Sequence, residues 1–96
     1  MTQQTKVGRT NTAVFTEEGI TRVVYHNTPV VSFNNHTIIL NNGGWKTATT
    51  KTRMNQASRQ FDLGYHVYQL SGEWFIEYNG HSLPFTEPKV ILNRSI

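Results

Sequence analysis

The sequence predicts an α+β protein, in which an antiparallel sheet of about five to six short strands carries a single central helix, about residues 47–62, on one face. Strand-like runs rich in β-branched and aromatic residues come before residue 41 and again after residue 65. Between these runs, a narrow stripe of apolar and small residues recurs at helical spacing: Thr50, Met54, Ala57 and Phe61. The change of period from two to 3.6 and back defines the fold class.

The first half of the chain indicates a β-meander preceded by a polar arm. Residues 1–12 are rich in Thr, Gln and Asn and are interpreted as a flexible N-terminal arm, which leaves 13–96 as a single α+β domain. A short edge strand is predicted near residues 12–16, followed by strands at 21–25, 29–33 and 37–40. Asn34-Asn35 tolerates the left-handed conformation that a tight hairpin needs.

The helix has recognisable ends. Thr47 or Thr49 can cap its start, and Gly64 can end it in the left-handed conformation. Two polar flanks border the apolar stripe, Lys51, Asn55 and Ser58 on one side and Arg53, Gln56 and Gln60 on the other. Both flanks are predicted to be open to solvent or to a partner.

Beyond the helix the period of two returns. Residues 65–70 and 73–78 are predicted to pair across Ser71-Gly72, and Asn79-Gly80 predicts a turn into a short edge strand at 81–85. Residues 89–92 form a last apolar run that can pair with the sheet or with another chain.

One narrow helix cannot cover a whole sheet, so an aromatic sheet face is predicted to stay uncovered. It would carry several of Tyr25, Phe33, Tyr65, Trp74 and Tyr78. A face of this kind is solvated, binds a ligand or packs on another subunit. We therefore expect a homo-oligomer.

Composition limits the classes of function. The chain of 96 residues has no cysteine, which excludes disulfides, thiolate metal sites and thiol nucleophiles. It shows no apolar run of membrane-spanning length and no signal-peptide pattern, so a cytoplasmic protein with no membrane partner is expected. The net charge is +3, and no acidic residue lies between Glu18 and Asp62. The basic residues in that interval favour an anionic partner.

Residues 43–55 are the strongest candidate for a binding site. Glycines allow close approach of the backbone, and a helix start offers unpaired N–H groups to an anion. We predict that Trp45 stacks on a ring, that Lys46, Lys51 and Arg53 neutralise charge, and that Thr47, Thr49 and Asn55 donate hydrogen bonds. The competing interpretation is structural: a tight turn at Gly43-Gly44, Trp45 in the core, and threonines that only cap the helix.

The sequence does not favour an enzyme, and we expect no cofactor and no metal. The four histidines lie on separate predicted elements without the short spacing of a zinc site. Glu73 and Glu77 share a strand face and are more typical of a solvated stripe than of an acid–base pair. No nucleophile elbow is present, and the phosphate-loop spacing is missing after Gly43-Gly44.

Several short segments resemble a group of small proteins encoded by bacteriophages and other mobile elements. They are Gly43-Gly44-Trp45, Thr49-Thr50, Arg53-Met54-Asn55-Gln56, Val67-Tyr68-Gln69 and Trp74-Phe75. The resemblance covers roughly residues 20–78. It implies an accessory phage-type protein that works inside a bacterial host cell, and it transfers no catalytic or binding residue.

Three functions remain open. The first is a counter-defence protein that binds and sequesters a nucleotide-like anion without chemistry. The second is a DNA- or RNA-binding module, although the modest net charge disfavours extensive phosphate contact. The third is an inhibitor that docks on a host protein through its aromatic sheet face or an edge strand.

Overall fold

Strands and a single helix account for most of the residues that the computed structural model describes, which are 12–44, 47–86 and 88–94. In chain order they are β1 (Thr12–Glu17), β2 (Ile20–Tyr25), β3 (Thr28–Phe33), β4 (Thr37–Asn41), α1 (Ala48–Gln60), β5 (Tyr65–Leu70), β6 (Glu73–Tyr78), β7 (His81–Pro84) and β8 (Lys89–Asn93). The α+β class is confirmed. The strands form two antiparallel sheets, however, and not the single sheet that was predicted. Sheet A has the order β1-β2-β3-β4-β8 and sheet B the order β5-β6-β7.

Four tight hairpins give both sheets their local connections. Each has two central residues with positive φ, as type I′ turns require. These pairs are Glu18-Gly19, His26-Asn27, Ser71-Gly72 and Asn79-Gly80. The prediction for Asn34-Asn35 is wrong, because neither residue has a positive φ. Asn34 instead accepts the N–H groups of His36 and Thr37 through its side chain, which turns the chain without a left-handed residue.

Helix α1 begins where Thr47 caps it and ends one turn earlier than Gly64. The Thr47 hydroxyl accepts the N–H of Thr50 at 3.2 Å. At the other end, the N–H of Leu63 bonds to the carbonyl of Ser58, and Asp62 between them is left-handed with φ 55°. This is a Schellman closure around Asp62, not the glycine cap that was predicted. With 13 residues, α1 is too short to cross a membrane, and the described residues contain no other helix.

Two polar side chains of α1 bind the outer edge of β5. The Asn55 side chain donates to the carbonyl of Val67 at 2.9 Å and accepts its N–H at 2.8 Å. Ser58 does the same for the carbonyl and N–H of Tyr65, at 2.6 and 3.1 Å. The helix therefore occupies a strand edge that could otherwise pair with another chain.

A single apolar core lies between α1 and the inner faces of both sheets. Sheet A contributes Val23, Val31, Ile38, Leu40 and Leu92; α1 contributes Met54 and Ala57; sheet B contributes Tyr65, Val67, Trp74 and Ile76. β8, which was predicted to pair with the sheet or another chain, pairs with β4.

The prediction of an uncovered face carrying Tyr25, Phe33, Tyr65, Trp74 and Tyr78 is wrong. Tyr65 and Trp74 are buried. Tyr25, Phe33 and Tyr78 pack against the core. All five rings face inward because the helix and the second sheet together cover both inner faces. Among the Phe, Tyr and Trp residues of the strands, Phe15, Tyr68 and Phe75 lie on the outer faces.

Candidate ligand-binding site

An open pocket of about 470 Å³ separates the end of the β2–β3 hairpin from the start of α1. Among the described residues it is lined by Tyr25, His26, Thr28, Val30, Asn42, Thr47 and Thr50. Three chain segments that are distant in sequence therefore meet there: the hairpin end, the end of β4 and the cap of the helix. Cavities of this size hold small organic ligands.

The hairpin supplies the apolar and aromatic wall. The register of β2 and β3 shifts between Val23 and Val24, which leaves Val30 as an extra residue in β3. Pro29 fits at this bulge because its missing N–H breaks no ladder to β4. Beyond the bulge, the rings of Tyr25 and His26 meet edge to face at 4.4 Å. A planar ligand could pack against these rings.

The segment after β4 supplies an unpaired donor. The side-chain oxygens of Asn41 and Asn42 accept the N–H groups of Gly43 and Gly44, each at 2.8 Å. Both glycines have positive φ, a conformation that glycine adopts without steric cost. Because the Asn42 oxygen is fixed by Gly44, the other terminal atom of that amide is the NH₂ group. Asn42 is 1% exposed, and its Nδ2 finds no acceptor among the described residues.

An unpaired buried amide is costly, since leaving a buried donor unsatisfied destabilises a protein by about 1–3 kcal/mol. The other such donor in the described residues, Nε1 of Trp74, lies in the core with its ring at a right angle to Phe85. Asn42 differs because it lines an open pocket. A ligand oxygen in that pocket could satisfy it.

The helix start adds further donors. Thr47 is the cap, and its hydroxyl contacts the buried hydroxyl of Thr50 at 3.0 Å. Thr49, at the second position of the helix, is exposed. The first backbone N–H groups of any helix have no partner within the helix, and they carry its positive dipole end. Thr47 lines the pocket, whereas Thr49 is not among the described residues that line it.

The predicted cations and Asn55 do not converge on one point. Arg53 lies toward β2, with its guanidinium carbon 5.5 Å from the centre of the Tyr25 ring and its Nε donating to Thr12. Lys51 lies on the opposite flank, where its ammonium is 3.4 Å from the side-chain oxygen of Gln69. Asn55 has both ends of its amide bonded to β5. Of these three, only Arg53 approaches the pocket, through the ring of Tyr25.

Trp45 and Lys46 lie outside the described residues, between Gly44 and Thr47 in sequence. Most of the pocket lining was not predicted from the sequence: Tyr25, His26, Thr28, Val30, Asn42 and Thr50. The run Asn41-Asn42-Gly43-Gly44 was the one available signal, because an asparagine pair before a glycine pair is typical of side-chain-closed turns. Within residues 12–44, 47–86 and 88–94, no three His, Asp or Glu side chains lie close enough to share a metal ion.

The chain matches a known protein family. No curated protein and no solved structure is similar to this chain. The family described as Kyanoviridae Gp96 protein matches residues 1–92, which is wider than the segment carrying the resemblance noted from sequence. This match covers nearly the whole chain and confirms a phage-type protein. The protein therefore belongs to the Kyanoviridae Gp96 family of phage proteins.

Proposed function

We propose that this phage protein binds a nucleotide-like anion in the pocket at the start of α1 and sequesters it without chemistry. The observation that carries the proposal is the buried NH₂ group of Asn42, which lines the pocket and has no acceptor among residues 12–44, 47–86 and 88–94. Sequestration of a small host signal would make the protein a counter-defence factor in the bacterial cytoplasm.

The groups around the pocket favour a ligand rich in acceptors. The NH₂ group of Asn42 can only donate, and the start of α1 adds the positive end of the helix dipole. The guanidinium of Arg53 contacts the ring of Tyr25, which lines the pocket. The described residues that line the pocket include no Asp or Glu. An oxyanion such as a phosphate meets these requirements.

Size and shape favour a small molecule over a nucleic-acid strand. The pocket volume of about 470 Å³ is that of a compact ligand site, whereas strand binding requires an extended groove of cations. Lys51 and Arg53 lie on opposite flanks of α1, so they do not line a common groove. The rings of Tyr25 and His26 offer a surface for a base.

The direct test is calorimetric titration with ADP-ribose and with a cyclic dinucleotide as probes. Asn42→Asp keeps the oxygen that holds Gly44 but places a negative charge in the pocket, and Arg53→Gln removes the nearby cation. We expect each substitution to weaken binding at least about tenfold, which is about 1.4 kcal/mol. Lys51→Gln is the matched control, because it removes the same charge on the opposite flank of α1.

Failure of both probes to bind the unchanged protein at millimolar concentration would contradict the proposal, as would equal weakening by Lys51→Gln and Arg53→Gln. Circular dichroism of Asn42→Asp separates lost binding from lost folding. Native mass spectrometry of the same samples reports the number of subunits. We expect more than one, because the outer face of sheet A leaves Phe15 46% and Ile91 58% exposed.

A further inference from the structure

The outer face of sheet B carries an aromatic and acidic surface that the ligand pocket does not use. Strand alternation places it opposite the core residues Val67, Trp74 and Ile76. We call it the aromatic–acidic face, and its residues are His66, Tyr68, Leu70, Glu73, Phe75 and Glu77. All six are exposed or half-buried.

Three rings form a continuous stack at the middle of this face. Tyr68 and Phe75 are directly opposite each other on β5 and β6, with centres 5.6 Å apart and planes 22° apart. His66 stacks on Tyr68 at 6.3 Å and 12°. The hydroxyl of Tyr68 is held by that of Ser82 on β7. Ring centres 5.6 and 6.3 Å apart are too far for full overlap, so part of each ring face stays uncovered, and the negative potential of that face attracts cations.

Two carboxylates flank the stack. Glu73 and Glu77 lie on β6 two residues before and two residues after Phe75, so each is about 7 Å along the strand from it. Neither has an ion-pair partner among the described residues. The face contains no Lys or Arg. Its charge is therefore opposite to that of the acid-free segment around the pocket.

Strand pairing is hindered at both edges of sheet B, which favours docking on the face. Asn55 and Ser58 occupy the backbone groups of β5. On the other edge, Pro84 of β7 has no N–H to offer. Leu70, which is 62% exposed at the end of β5, adds an apolar contact beside Glu73.

We propose that the aromatic–acidic face docks an arginine- or lysine-bearing segment of another protein. The cationic side chain lies over the rings of Tyr68 and Phe75, and its N–H groups bond to Glu73 or Glu77. This contact is independent of the proposed function in the pocket. A nucleic acid would also stack on the rings, but the two carboxylates repel phosphate and no cation on the face offsets them.

The test is an amide NMR titration of the whole protein with an acetylated peptide that alternates arginine with glycine. A matched peptide with citrulline in place of arginine keeps the shape and removes the charge. We expect the arginine peptide to shift the signals of β5 and β6, and the citrulline peptide to leave them unchanged. Glu73→Gln/Glu77→Gln should weaken binding about tenfold, since two charge contacts are lost.

Glu17→Gln/Glu18→Gln is the control, because it removes the same charge at the β1–β2 turn, and it should bind like the unchanged protein. Equal weakening in both double variants would overturn the proposal, as would shifts confined to other elements or no binding at all. Shifts on this face from oligouridylate, with none from the arginine peptide, would overturn it in favour of nucleic acid.

Discussion

The two flanks of α1 carry similar polar residues and use them differently. On the β5 flank, Asn55 and Ser58 bond to the strand backbone and Lys51 reaches Gln69. On the pocket side, the helix start lies beside the buried amide of Asn42, whose NH₂ group meets no acceptor in the part of the chain that the structure describes. The polar residues of the β5 flank hold the fold together, whereas the NH₂ group of Asn42 beside the helix start has no acceptor among the described residues. Hydrogen-bond partners therefore distinguish a structural role from a binding role, which residue type alone does not.

The strongest way to test this contrast is Asn55→Ala. It leaves the N–H and carbonyl of Val67 without their partners at a half-buried edge. We expect a loss of about 2–3 kcal/mol in the free energy of unfolding, measured by urea denaturation. Thr52→Ala, at an exposed position of the same helix, should change it by less than about 0.5 kcal/mol. Equal effects from the two variants would mean that the β5 flank contributes little to stability.

A second test uses pH. The Tyr65 hydroxyl donates to the carbonyl of Met54 at 2.6 Å, and burial raises the pKa of Tyr65 above its ordinary value. Above about pH 10 the unfolded chain releases this proton and the folded protein keeps it. The contribution of Tyr65 to the free energy of unfolding is therefore fully present below about pH 10, and above that pH the free energy falls by about 1.4 kcal/mol per pH unit.

Urea unfolding on either side of about pH 10 measures this slope. Tyr65→Phe removes the ionisable hydroxyl and should make the slope of the unfolding free energy against pH shallower by about 1.4 kcal/mol per pH unit, the contribution of one proton. The variant also loses the hydrogen bond to Met54. An unchanged slope would mean that Tyr65 ionises in the folded protein as readily as in the unfolded chain.

The smallest expected effect concerns the pocket side. Thr47→Ala removes the cap that accepts the N–H of Thr50, which should cost about 1 kcal/mol in thermal or urea unfolding. Thr49→Ala changes an exposed threonine two residues later and should be nearly silent. If Thr49→Ala were the more damaging, the helix would begin at a different residue from the one described.

Local features of the fold could be read from the sequence. Ser71-Gly72 and Asn79-Gly80 predicted their turns correctly because dipeptides of this kind favour positive φ. Thr47 was one of two predicted caps, and the structure selects it. The division into two sheets could not be predicted, because it depends on β8 pairing with β4 across the intervening helix and sheet B.

The orientation of the aromatic side chains was also beyond local patterns. An alternation of period two shows that Trp74 and Phe75 face opposite ways, but not which of them is inside. That choice depends on where α1 and the other sheet lie. Asn42 was overlooked for a related reason: asparagine is usually exposed, and only the packing around the end of β4 buries it.

The pairing of β4 with β8 has a consequence for the order of folding. The four hairpins join neighbouring segments, and isolated hairpins form within about 1–10 μs. The strand pair β4–β8 must instead close the long loop between Asn41 and Lys89, at a larger entropic cost. Leu92 can enter the core only after that closure. We therefore expect the pairing of the fifth strand of sheet A to be a late and slow step in folding.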